Sequence, residues 1–306
     1  MSISVKLILI LEPDLMILEN QQQILPPSLG IPKPLQSFMK VMEVISPFLT
    51  IRLAARLFVS PINFKRPKRE VPMLESSQIE YFNVKSVQKK IRVFKYGYSD
   101  KKVMLVHGWS GRGTQLFGIA NKLLEMGYMV ISFDGPSHDK SEGKTTNLTE
   151  FIATVKEVNN EYGPFVAGVG HSFGSMALLN TNAEEEIFKC LVTVGSGDYV
   201  SDIMKNFMTD LGLKKHMGYR LEKYFERKWN VKVDDFSSSI AAQKIKFPTL
   251  VVHDTCDGDV SVSCAQNIRQ NLKKGSLLLT SNLGHTKILR DKKVIKQIGN
   301  FIKENT

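Results

Sequence analysis

The chain has 306 residues, of which 42% are hydrophobic and 23% are charged, as in ordinary globular proteins. This length accommodates one large α/β domain with an elaboration, or two small domains. The three cysteines cannot form a disulfide framework, and their odd number favours a reducing compartment, so a cytoplasmic location is expected. The formal net charge of +11 suits an anionic partner, but the basic residues are spread along the chain. No nucleic-acid motif accompanies them, so no nucleic-acid partner is predicted.

Residues 1–70 differ in composition from the rest of the chain. Residues 1–38 contain a short apolar run, three consecutive glutamines and five prolines, a composition typical of a poorly packed extension. The apolar run is too short for a signal-peptide core or a membrane span. Met39 would be a plausible first residue of the protein, so residues 1–38 are expected to be dispensable.

The segment 39–69 joins apolar helix-forming sequence to a basic cluster. Pro47 should break or kink the helical pattern, and residues 48–59 fit an amphipathic helix. The basic cluster is Lys65, Arg66, Lys68 and Arg69. Two interpretations remain open: peripheral contact with an anionic membrane through 39–69, or a helix packed on the main domain and followed by a basic linker.

From residue 78 onwards, strand patterns alternate with helix patterns. Residues 79–84 and 91–96 suggest a hairpin, and helix-period runs cover 114–126, 147–162, 264–272 and 294–302. Strands are expected at 102–106, 128–133, 165–169, 189–194, 249–252 and 276–279. This alternation predicts a parallel sheet with helices on both faces and an antiparallel edge supplied by the hairpin. The pattern divides the chain into 1–70 and an α/β domain over 71–306.

The alternation is interrupted between Gly195 and Pro248, where no strand pattern occurs. Residues 203–211 and 220–229 fit helices, and the region at about 198–245 is therefore predicted to be a helical lid. Ligand sites of open α/β sheets lie at the carboxyl edge of the strands, so this lid should shape the substrate pocket.

Residues 170–174, Gly-His-Ser-Phe-Gly, follow a short apolar run and precede a helix-forming run. They fit the G-x-S-x-G pattern, which needs this strand–turn–helix context to be meaningful. A tight strand-to-helix turn forces the central residue into a strained conformation, so its neighbours must be small. Ser172 is the predicted nucleophile, and the Phe173 N–H would be free to receive an oxyanion. The alternative is a glycine-rich turn that carries an ordinary serine.

A serine nucleophile requires a base, usually a histidine held by a carboxylate. Among the six histidines, His285 follows the last strand and lies at the same sheet edge as Ser172, so it is the predicted base. His171 lies on the turn itself and should point elsewhere, and His107 ends a strand where its backbone is the more useful part. The carboxylate should lie between Ser172 and His285 in the chain. The candidates are Asp254, Asp257 and Asp259, with Asp257 preferred at the loop apex and Asp198 as an outside candidate.

The backbone after the 102–106 strand supplies a second oxyanion donor. Gly108 permits a sharp turn, and the N–H of Trp109 would face the site, although Trp109 also suits plain packing. A metal site built from His253, Asp254, Asp257 and Asp259 is a minor alternative.

Together these residues resemble the α/β-hydrolase superfamily over about 78–304. The resemblance rests on His107-Gly108-Trp109, the loop at 133–141, the turn at 170–174, the Asp257 loop and Gly284-His285. It implies an eight-stranded, mostly parallel sheet with helices on both faces, no cofactor, and the roles given above to Ser172, Asp257, His285, Trp109 and Phe173. One departure stands out: the loop that usually reads Gly-His-Gly-x-Ser is Ser-His-Asp-Lys-Ser here, which predicts an altered local turn.

The expected function is hydrolysis of a carboxylic ester with an apolar acyl or alcohol group, through an acyl-enzyme on Ser172. A thioesterase or peptidase with the same triad, and a non-catalytic binding protein on this scaffold, are the alternatives.

Overall fold

The computed structural model describes residues 23–28 and 30–306, and the backbone of Ile8 and Leu9. The strands in chain order are β1 (Ile8–Leu9), β2 (Gln78–Val84), β3 (Lys89–Tyr96), β4 (Lys102–Val106), β5 (Met129–Asp134), β6 (Ala167–His171), β7 (Cys190–Val194), β8 (Thr249–Asp254) and β9 (Gly275–Thr280). They form one sheet in the order β1-β9-β8-β7-β6-β4-β5-β3-β2.

Strand pairing follows the predicted mixture of directions. β2 and β3 form an antiparallel hairpin, β3 pairs antiparallel with β5, and β4 to β9 are parallel to one another. The prediction of eight strands is confirmed for residues 78–280, and β1 adds two residues antiparallel to β9 at the far edge.

The helices are α1 (Lys33–Ile45), α2 (Pro47–Phe58), α3 (Val71–Glu75), α4 (Phe117–Glu125), α5 (Leu148–Tyr162), α6 (Phe173–Glu184), α7 (Val200–Asp210), α8 (His216–Trp229), α9 (Ser238–Ala242), α10 (Val262–Asn271), α11 (Gly284–Lys287) and α12 (Lys292–Glu304). Apolar side chains of α5, α6, α9 and α10 cover one face of the sheet, and those of α4 and α12 cover the other. Every residue of β6, β7 and β8 is buried, as expected for strands that are covered on both faces.

A third apolar cluster joins α1, α2, α7 and α8, which together are called the cap. Helix α2 turns Ile51, Ala54 and Ala55 inward at helical spacing and contacts α8 and α7. The break predicted at Pro47 is confirmed: α1 ends at Ile45, and the Ser46 side chain accepts a hydrogen bond from the Leu49 N–H at 3.3 Å.

The segment predicted to be a poorly packed extension contacts the domain. The Leu25 N–H donates to the Cys256 carbonyl at 3.0 Å, and Ser28 donates to Asp259 through its N–H and its hydroxyl. The poorly packed extension stays a prediction, because residues 26–28 are exposed despite these contacts. For residues 1–22 and 29, apart from the backbone of 8 and 9, it lies outside the described part of the chain. None of the described helices is both long and apolar enough to cross a membrane.

Candidate active site

Ser172 occupies the sharp turn between β6 and α6. Its φ of 51° and ψ of −117° are unfavourable for a residue with a side chain, as predicted for this position. The neighbouring glycines are required by close approach: a Cβ at Gly174 would lie 2.3 Å from the Val106 carbonyl oxygen, and one at Gly170 would lie 2.6 Å from Ser175. The turn therefore holds the half-buried Ser172 at the carboxyl edge of the sheet.

His285 and Asp257 form a hydrogen-bonded pair at the same edge. Nδ1 of His285 lies 2.8 Å from Oδ2 of Asp257, while Oδ1 of Asp257 accepts the N–H groups of Asp259 and Val260 at 2.8 and 3.0 Å. Burial acts to raise the pKa of Asp257, but these hydrogen bonds, with that of His285 the strongest, leave it below its ordinary value. Asp257 is therefore ionised, and its hydrogen bond leaves Nε2 of His285 as the nitrogen that can take a proton.

Ser172 and His285 both contact the end of β7. The Ser172 N–H donates to the Val194 carbonyl at 2.8 Å. The next residue, Gly195, has a φ of 60°, and a Cβ there would lie 3.2 Å from the ring of His285. Neither the Ser172 hydroxyl nor Nε2 of His285 forms a hydrogen bond with any described residue. Both are therefore available to a ligand.

The other candidate aspartates have different partners. Asp254 accepts hydrogen bonds from Cys256, Thr280 and Leu283, and Asp198 accepts them from Ser239 and Asn267. Asp259 is exposed and binds Ser28. The carboxylates of Asp198, Asp254 and Asp259 hold loops in place through these hydrogen bonds. The carboxylate of Asp257, in contrast, binds His285.

The metal set considered from the sequence is brought together only in part: Nε2 of His253 lies 3.7 Å from Oδ2 of Asp257. His253 bonds through Nε2 to the Val260 carbonyl, and Asp254 is occupied as described above. Ligand atoms of Asp257, Asp259 and His285 do lie within 4.8 Å of one another. A cation there would have to displace the hydrogen bond between His285 and Asp257, so the group fits an acid–base pair better than a metal centre.

His171 lies beside the base and the loop after β4, where a Cβ at Gly108 would be 2.8 Å from Nδ1 of His171. Its Nε2 lies 3.0 Å from the His285 carbonyl oxygen, and the two rings are 4.7 Å apart. Burial lowers the pKa of His171 to about 3, so the ring is neutral and its Nε2–H donates this bond. Sequence reasoning missed this contact because it joins residues that are 114 positions apart.

The loop after β4 lies against the Ser172 turn. A Cβ at Gly108 would lie 3.1 Å from Cβ of Ser172, and the rings of Trp109 and Phe173 are 5.2 Å apart. Among the described residues, neither the Trp109 N–H nor the Phe173 N–H donates a hydrogen bond. Two backbone N–H groups without a partner in the described structure therefore lie beside the Ser172 turn.

Two buried, neutral histidines brace this loop. Nε2 of His107 accepts the Gly135 N–H at 2.8 Å, and Nε2 of His138 accepts the Ser110 N–H at 3.1 Å. Burial lowers the pKa of His107 to about 4 and that of His138 well below its ordinary value. Their neutral forms are required because each ring accepts a backbone N–H.

The loop at 133–141, in which two expected glycines are replaced, still adopts the positive-φ backbone conformation that glycine favours. Ser137 and Asp139, which stand where glycines were expected, have φ values of 65° and 43°. Side-chain contacts hold both: the Ser137 hydroxyl donates to the Thr145 carbonyl at 2.7 Å, and Asp139 pairs with Arg66 and Arg92.

A cavity of about 210 Å³ opens beside Trp109, and sequence reasoning missed it. Its walls include Arg69, Arg112 and Arg290, and also Thr286, the neighbour of His285. Arg69 was visible only as one member of a basic cluster. No sequence spacing links the three arginines, because they come from three distant parts of the chain.

No protein-family profile and no curated protein matches this sequence. Solved structures do match in fold. An esterase from Pyrococcus furiosus aligns with a TM-score of 0.62 at 19% identity, over 80% of this chain and 97% of its own. An esterase from Exiguobacterium antarcticum aligns with a TM-score of 0.59 at 19% identity, over 74% of this chain and 100% of its own. A bromoperoxidase from Bacillus anthracis aligns with a TM-score of 0.58 at 15% identity, over 74% of this chain and 100% of its own.

At these identities the likeness concerns the fold and leaves the reaction open, since the matching proteins carry names of different activities. The strand order, the serine turn and these structural matches agree with one another: the chain has the α/β-hydrolase fold.

Proposed function

We propose that the protein hydrolyses carboxylic esters through an acyl-enzyme on Ser172. The observation that carries this proposal is the joint placement of three groups at one sheet edge. These are the strained Ser172 turn, the hydrogen bond between His285 and Asp257, and the two free N–H groups of Trp109 and Phe173. The esterases among the structural matches support the coarse reaction class.

In the proposed first step, Oγ of Ser172 attacks the carbonyl carbon of the ester while Nε2 of His285 takes the hydroxyl proton. The carbonyl oxygen becomes an oxyanion that accepts hydrogen bonds from the Trp109 and Phe173 N–H groups. The bond to the alkoxy oxygen then breaks, and His285 returns the proton to this leaving group. Water repeats the sequence on the acyl-serine, which releases the acid. Asp257 holds the imidazole in the required tautomer and stabilises its charged form.

The test is labelling by a fluorophosphonate probe of the wild type and of Ser172→Ala. We expect the wild type alone to be labelled, because the probe reacts only with an activated serine. Ser175, which is buried on the next turn of α6, supplies a matched Ser175→Ala control that should retain labelling. A folded wild type that is not labelled would contradict the proposal and favour the non-catalytic binding protein.

The alternatives with the same triad differ only in the bond that is cleaved. Oxygen esters, thioesters and amides of one acyl group should be compared by kcat/KM. Highest activity on the oxygen ester supports the proposal, and preference for the thioester or the amide would replace it with the thioesterase or the peptidase.

We also propose that the corner between α1 and α2 contacts an anionic membrane surface, as one interpretation of segment 39–69 suggested. Val44, Ile45 and Phe48 are 85%, 70% and 67% exposed at this corner. Four basic residues and one acidic residue lie between positions 33 and 58, a net charge of +3. Apolar side chains with a basic surround match the chemistry of an anionic interface.

Co-sedimentation with vesicles of phosphatidylglycerol and phosphatidylcholine tests this contact. The triple variant Val44→Ser, Ile45→Ser, Phe48→Ser should lose most binding, while Tyr98→Ser, which removes a 93% exposed aromatic elsewhere, should bind like the wild type. Equal binding by the triple variant would exclude this corner as the contact.

A further inference from the structure

The cavity beside Trp109 is lined by more positive charge than its surroundings neutralise. Its walls contain Arg69, Arg112 and Arg290 against one carboxylate, Glu70. In the described part of the chain, Arg69 and Arg290 form no ion pair. The pKa of Arg290 is lowered by partial burial and by the positive charge of Arg69, which lines the same cavity.

Arg112 is the buried member of this group. Its side chain is 8% exposed, its Nε lies 3.8 Å from the Glu70 carboxylate, and its Nη1 has no hydrogen-bond partner in the described structure. Glu70 is shared, because it also accepts the Thr114 hydroxyl at 2.8 Å and lies 3.7 Å from Arg66. One shared carboxylate does not saturate a buried guanidinium, which carries five donors.

We propose that this cavity binds a phosphate group. Guanidinium groups pair with phosphate oxygens through two parallel hydrogen bonds, and three arginines from separate segments suit a tetrahedral group with several acceptor oxygens. The net charge of the walls, three arginines against Glu70, is opposite to that of a phosphate and of similar size.

The location of the cavity links phosphate binding to the reacting centre. Trp109, the proposed oxyanion donor, forms one wall, and Thr286, the residue after His285, forms another. Because these two walls belong to segments of the proposed site, a phosphorylated ester is one source of the phosphate group that we propose, and free phosphate is the second source of the same group. The proposal that the phosphate belongs to an ester substrate rests on the proposed hydrolase function. The proposal that the cavity binds phosphate does not.

Isothermal titration of the full chain carrying Ser172→Ala with inorganic phosphate, at constant ionic strength, tests the site without turnover. We expect saturable binding that weakens about tenfold or more in the double variant Arg69→Gln, Arg290→Gln, since hydrogen bonds to charged groups are lost. Both side chains are exposed, so the variant should fold. Arg220→Gln, on the exposed surface of α8, is the matched control and should bind like the parent.

Arg112→Lys provides a second variant, because it keeps the buried charge and removes the planar pair of donors. It should also weaken phosphate binding. No saturable binding by the parent protein, or equal binding by the parent and the double variant, would overturn the proposal.

The source of the phosphate is settled by kcat/KM for butyryl-glycerol and for butyryl-glycerol phosphate. If the substrate carries the group, the phosphorylated ester should be preferred about tenfold, and the double variant should lose this preference while it retains activity on the neutral ester. If free phosphate is the ligand, both esters should react alike while inorganic phosphate still binds. Absence of fluorophosphonate labelling would remove the catalytic proposal and leave the titration to decide the cavity.

Discussion

The central sheet and the cap use apolar surface in different ways. Strands β6, β7 and β8 are buried along their whole length, with helices on both faces. Helix α1 of the cap buries Met39 alone, while Val44 at its end is 85% exposed. The sheet edge is therefore a rigid platform for the proposed chemistry, whereas the cap leaves apolar surface exposed, where we propose the membrane contact.

The largest expected effect concerns the platform. Asp257→Asn should lower kcat by about 10⁴-fold, because the amide cannot hold the required tautomer of His285. Asp259→Asn, two residues away on the same loop and exposed, should change kcat by less than about threefold. Steady-state hydrolysis of a p-nitrophenyl ester measures both. Equal loss in the two variants would show that loop structure, and not the pairing with His285, controls activity.

The second prediction concerns the two faces of the cap. Phe225 is fully buried, stacked 4.3 Å from the Trp229 ring and 5.7 Å from that of Phe58. Phe225→Ala should reduce the free energy of unfolding by about 3–5 kcal/mol. Phe48→Ala removes the same ring from a 67% exposed position and should change it by less than about 0.5 kcal/mol. Urea denaturation compares the two, and a large loss in Phe48→Ala would mean that the corner is covered in solution.

The third prediction concerns how the stability of the protein depends on pH, which should be controlled by buried histidines under the sheet edge and not by the cap. His107 and His171 lie under the sheet edge with pKa values lowered by burial to about 4 and about 3, against about 6.5 when unfolded. The unfolded chain therefore binds more protons below pH 6.5, so this stability is present above that pH and is lost as the pH falls towards 4. The two groups together should cost about 2 kcal/mol between pH 6.5 and 5.5.

Urea denaturation at several pH values measures this slope. His216 is exposed at the start of the cap helix α8, and His216→Asn should leave the slope unchanged. Stability that stays constant from pH 7 to 5 would contradict the prediction, because it would mean that the buried rings take up protons at the same pH in the folded and unfolded states.

Much of the sheet could be predicted from sequence because its signals are local. Apolar runs bounded by turn residues located the strands from β2 to β9 within a few residues, and Asn147 marked the start of α5, where its side chain accepts the Glu150 N–H at 3.0 Å. The contacts of residues 25–28 were not predicted, because their partners lie more than 200 positions away, at the Asp257 loop.

The sequence alone determined the fold class, the strained turn at Ser172 and the candidates for its partners, since periodicity, glycine spacing and strand ends are properties of short segments. Only the tertiary structure decided which aspartate meets His285, that His171 holds the His285 carbonyl, and that three distant arginines share one cavity. Those contacts depend on how parallel strands and their loops are brought side by side, and no local pattern in the chain records distances across a sheet.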